Sequence, residues 1–74
     1  MPIWTAYIGN DPNDDYNLII EVQCDDKDVA VIRNINDEIV LRWYPQECET
    51  DIPVDWLVGL LTMAKESLRR EKNS

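Results

Sequence analysis

The sequence predicts an α+β domain, a four-stranded antiparallel sheet wound as a ββββα meander and packed on one C-terminal helix. Three observations carry this expectation. Apolar residues alternate with period two in four short segments before residue 45, Asn, Asp, Gly and Pro cluster between those segments, and the chain then switches to helical spacing. A chain of 74 residues buries only about 60% of its unfolded surface, so one sheet under one helix is close to the largest core it can build.

The first strand is expected over residues 3–8, where Trp4, Ala6 and Ile8 alternate with Thr5 and Tyr7. Gly9 and the run Asn10-Asp11-Pro12-Asn13-Asp14-Asp15 supply a turn. The second strand, 16–24, has the cleanest alternation: Tyr16, Leu18, Ile20, Val22 and Cys24 share one face. Asp25-Asp26-Lys27-Asp28 ends it. The third and fourth strands, 29–35 and 39–44, meet at Asn36-Asp37-Glu38.

The register of that last hairpin decides what is buried. A two-residue turn at Asn36-Asp37 puts Ala30 and Ile32 on the face of Ile39, Leu41 and Trp43; a three-residue loop puts Val29, Val31 and Ile35 there, and Arg33 with them. Burying an unpaired Arg is costly, which favours the two-residue turn. Pro45 stops the fourth strand. The helix is expected over 52–70, capped by Asp51 or Ile52, with Pro53 in its first turn and Asp55 near its positive end. Leu57, Leu60, Leu61, Ala64 and Leu68 form its inward stripe, with Trp56 and Met63 on one flank and Val58 on the other.

Charge is the strongest compositional signal. The net charge is −8, and twelve of the fifteen acidic residues precede residue 52, opposed there by Lys27, Arg33 and Arg42 alone. Such a surface repels phosphates, so direct nucleic-acid binding and anionic membranes are not expected, and a basic protein surface is the natural partner. No long apolar segment and no basic leader stand in the sequence, and the two cysteines, Cys24 and Cys48, lack close spacing. A cytoplasmic protein with reduced thiols is therefore expected.

Catalytic and metal chemistry find little support. There is no His, the only Ser residues are Ser67 and Ser74, and the only Gly residues are Gly9 and Gly59. Ser–His catalysis and Gly-rich phosphate loops are thus excluded, and no enzyme activity, metal or other cofactor is expected. The stretch Asp11-Pro12-Asn13-Asp14-Asp15 resembles the opening of an EF-hand loop, but Tyr16 stands where the turn needs Gly and Val22 where the bidentate Glu belongs. The start Met1-Pro2-Ile3 resembles that of the small tautomerases, which use an N-terminal Pro as base; the likeness covers three residues, and the strand order departs from that family's strand–helix–strand pattern.

A meander converts the charge count into geometry. It puts the turns at 10–15 and 36–38 at one end, where Lys65, Arg69, Arg70 and Lys72 of the helix would meet Asp11, Asp14, Asp15, Asp37 and Glu38. The other end gathers Asp25, Asp26, Asp28, Glu47, Glu49, Asp51 and Asp55 against Lys27. Cys24 and Cys48 approach that end as well, about 9–10 Å apart across the sheet, too far for a disulfide.

The function expected from these features is a small non-catalytic binding module. It is of the inhibitor or immunity type found in bacteria and phages, its carboxylates imitating nucleic-acid phosphates at a basic site of a partner protein. The alternative is a homodimeric assembly module held through the apolar sheet face, where Ile19 and Val40 are spare, or through the Trp56–Met63 flank.

Overall fold

A computed structural model describes residues 2–13, 15–46 and 49–72, with side chains described up to Arg69. Strands β1 (Trp4–Asp11), β2 (Asn17–Cys24), β3 (Lys27–Ile35) and β4 (Glu38–Trp43) precede one helix, α1 (Val54–Lys72). The strands pair in the order β1-β2-β3-β4, each antiparallel to the next. The fold is the expected ββββα meander. Its bounds shift by at most three residues, most at β1, which continues to Asp11, while the ends of β2 and β3 fall where expected.

Two tight turns fix the registers. Asp25 and Asp26 (φ 52 and 68) join β2 to β3, and Asn36 and Asp37 (φ 51 and 72) join β3 to β4. Paired positive φ values mark type I′ turns, whose twist matches that of the flanking strands, and Asn and Asp tolerate this conformation best after Gly. The first hairpin is longer. Tyr16 lies in its turn rather than at the head of β2, with φ 58. Its amide donates to the Asp11 carbonyl at 2.8 Å and its carbonyl accepts from Asn10 Nδ2 at 2.8 Å.

Arg33 explains the sheet's one irregularity. The turn at Asp25-Asp26 pairs Cys24 with Lys27 and Gln23 with Asp28, and continuing that register would carry Arg33 to the helix side. A bulge intervenes between Val22 and Gln23, so that Val22 faces Ala30 and Ile20 faces Ile32. Both Val29 and Ala30 join the buried core, as expected where one strand carries an extra residue. Arg33 is left on the open face, 3.3 Å from the Asp11 carboxylate. The turn at Asn36-Asp37 then aligns Ala30 with Trp43 and Ile32 with Leu41, the two-residue alternative anticipated above.

Helix α1 lies over β2 and β3. Its Leu60, Ala64 and Leu68 enter a buried cluster with Ile20, Val22, Val29, Ala30 and Ile32. Two expectations need correction. The helix starts at Val54, where the Pro53 carbonyl accepts the first helical bond from Leu57 N at 3.0 Å. Its inward stripe holds except at Leu61, which remains 38% exposed, while Trp56 and Met63 on the flank pack against the core.

The second sheet face carries no covering layer among the described residues. Val31 is nevertheless only 2% exposed there, flanked in register by Glu21 and Arg42, whose long stems can roof it. Ile19 is buried and Val40 half-buried on the same face, so the spare apolar positions read from the sequence are largely absorbed by their own neighbours.

Candidate functional site

Three tryptophans close the sheet at the end where α1 begins. The rings of Trp4 and Trp43 lie 6.4 Å apart by centroid and tilted at 33°. Trp4 also meets Trp56 at 5.9 Å and 44°. These two edge-strand residues meet because the positions beside them are small: Trp4 pairs with Cys24 and Trp43 with Ala30. Trp43 keeps 42% of its surface exposed. The Trp4 Nε1 donor is buried without a partner among the described residues.

Carboxylates surround this cluster. The Asp25-Asp26 turn is tied to the start of β1, with Asp25 N donating to the Ile3 carbonyl and Ile3 N donating to Asp25 Oδ1, both at 2.9 Å. Asp28 accepts from Gln23 Nε2 at 2.9 Å. Glu49 and Asp51 lie on the segment joining Trp43 to the helix, and Asp55 precedes Trp56 in its first turn. All six of these acids are exposed, and none enters an ion pair among the described residues. Glu47 and Cys48 lie outside the described residues, as does Asp14. Among the described residues, no group of three or more His, Cys, Asp or Glu could hold a metal.

Cys24 is a free thiol beside Trp4 in register. Burial, and secondarily the Asp25 carboxylate, push its pKa above the ordinary thiol value, which keeps the less reactive protonated form dominant at neutral pH.

The opposite end differs from expectation. Asp11 is held by Arg33 of the sheet, not by a cation of the helix, because β1 continues far enough to bring its carboxylate across β2. The side chains of Arg70 and Lys72 lie outside the described residues. Sequence reading missed a polar hollow of about 440 Å³ at this end, where Asn13, Asn17, Asn34 and Asn36 ring the Asp11–Arg33 pair. The available signal was the density of Asn beside two turns that the meander stacks together. Sequence reading also missed an open groove of about 410 Å³ between β1 and α1, lined by Ala6, Asp55, Trp56, Gly59, Leu60 and Met63. Trp56 and Met63 thus stand half-buried in a groove wall instead of forming a raised patch.

No known family model matches the chain, and neither a curated protein nor a solved structure is detectably similar to it. Among the described residues, no helix is long and apolar enough to cross a membrane.

Proposed function

We propose that this protein is a non-catalytic binding module, of the inhibitor or immunity type known from bacteria and phages. Its acidic end occupies a basic site on a partner protein in the cytoplasm. One observation carries the reading: six exposed carboxylates flank a half-exposed Trp43 at one end of the sheet, with Lys27 beside them and no ion pair to any of the six among the described residues. An Arg or Lys side chain arriving there gains both charge attraction and the face of an indole. A rigid turn, locked to β1 through Asp25 and Ile3, presents part of this surface without further ordering cost.

The test captures partners from the host with the wild type and with a neutralised variant, Asp26→Asn, Glu49→Gln and Asp51→Asn, chosen because none of these side chains makes a hydrogen bond among the described residues. The partner should bind the wild type, lose at least about tenfold in affinity between low and high salt, and lose a similar factor with the variant. A partner held equally by both proteins at all salt concentrations contradicts the reading.

A second reading, association between copies of the chain, is favoured by the uncovered groove between β1 and α1.

A further inference from the structure

We infer that two copies of this chain join β1 to β1 across a two-fold axis, forming one continuous eight-stranded sheet in which Ile8 of each copy enters the other's groove. The inference rests on the second reading above, and its groove shares only Asp55 and Trp56 with the acidic end. It begins with the direction of the backbone groups. Ile3 exchanges its hydrogen bonds with Asp25, toward β2, and in an antiparallel strand alternate residues point both N–H and C=O to the same side. Thr5, Tyr7 and Gly9 therefore bond to β2, while Trp4, Ala6, Ile8 and Asn10 direct their backbone groups outward. β1 is an edge strand, and no described residue pairs with those outward groups.

Natural edge strands are usually blunted by charges, bulges, proline or brevity. β1 lacks most of these protections within its span: it is eight residues long, pairs with β2 without a register shift, and carries no charge before Asp11, which Arg33 already neutralises, with Pro2 and Pro12 lying only beyond its ends. The other edge, β4, has six residues, holds Glu38 and Arg42, and is followed by Pro45. For a chain of net charge −8, β1 is the edge along which two copies meet with least repulsion.

The side chains choose the register. A two-fold axis through Tyr7 pairs Trp4 with the partner's Asn10 and Ala6 with the partner's Ile8, engaging all four outward residues in about eight backbone hydrogen bonds. Ile8 lies on the helix side and is 55% exposed. It then stands beside the second copy's Ala6, the small residue at the floor of the 410 Å³ groove, so that knob and hole are the same two positions on both chains. This reciprocity is what a closed two-fold interface requires. Thr5 similarly meets Gly9, and the two Tyr7 rings meet on the open face. The helices do not collide, because each lies over β2 and β3. About four strand spacings, roughly 19 Å, separate their axes, against a helix diameter of about 10–12 Å.

Sedimentation equilibrium of the wild type and of Ile8→Lys, with circular dichroism to confirm that both fold, tests the interface. A second pair of variants tests the register, in a Cys24→Ala, Cys48→Ala background: Tyr7→Cys should form an intermolecular disulfide on oxidation, whereas Gly9→Cys, which faces Thr5, should not. The wild type should be a dimer, and Ile8→Lys should weaken association by roughly 30-fold or more. A wild type that stays monomeric into the millimolar range overturns both this proposal and the second reading. A dimer indifferent to Ile8→Lys and uncrosslinked at Tyr7 overturns the β1 interface alone, as does growth into open-ended polymers.

Discussion

At the scale of single residues, the fold tolerates backbone strain where a polar side chain can rationalise it, and in one place where it cannot. Asp25, Asp26, Asn36 and Asp37 all adopt positive φ and are of the types that do so readily. Tyr16 (φ 58) is not of those types, and its ring is mostly exposed, so little burial offsets the conformational cost. Tyr16→Asn is expected to raise stability by about 0.5–1 kcal/mol. A higher urea midpoint at unchanged slope is the corresponding observation. Both of its backbone hydrogen bonds survive the substitution, since they use Tyr16 N and O.

At the scale of elements, the position of α1 decides which apolar residues count. The helix buries Leu68 completely and leaves Leu61 partly in water. Leu68→Ala should therefore cost about 2–4 kcal/mol, and Leu61→Ala less than about 1 kcal/mol. Equal costs in a denaturant titration would contradict the helix orientation described here. Element order, strand alternation and the two-residue turn at Asn36-Asp37 were legible in the chain, because each rests on a local pattern of residue types. The bulge beside Val29 was not. It arises only when two registers that are each locally acceptable must agree within one sheet and Arg33 must stay out of the core. The Trp4–Trp56 contact was hidden for the same reason, since helical spacing gives the stripe but not the neighbour that a flank residue meets. The same limit concealed the outer edge of β1 and the groove beside it.

At the scale of the whole molecule, carboxylates gather at both ends of the sheet. One end pairs Asp11 with Arg33 and also exposes Asp15, Asp37 and Glu38. The other holds six exposed carboxylates that enter no ion pair among the described residues, grouped about the tryptophan cluster. That grouping was legible from sequence once a meander was assumed, because the turn at Asp25-Asp26 and the entry to the helix must then lie together. Its aromatic centre was not legible, because Trp4 and Trp43 lie on opposite edges of the sheet and meet only over small neighbours. The measurement that bears most directly on the account is a nitrogen-edited NMR titration of the full chain with a hexa-arginine peptide at low and at high salt. The account predicts that amides of residues 25–28 and 49–55 and the indole N–H of Trp43 shift together, and that the shifts fade as salt rises. Shifts confined to the Asp11 end, or none at low salt, would contradict it.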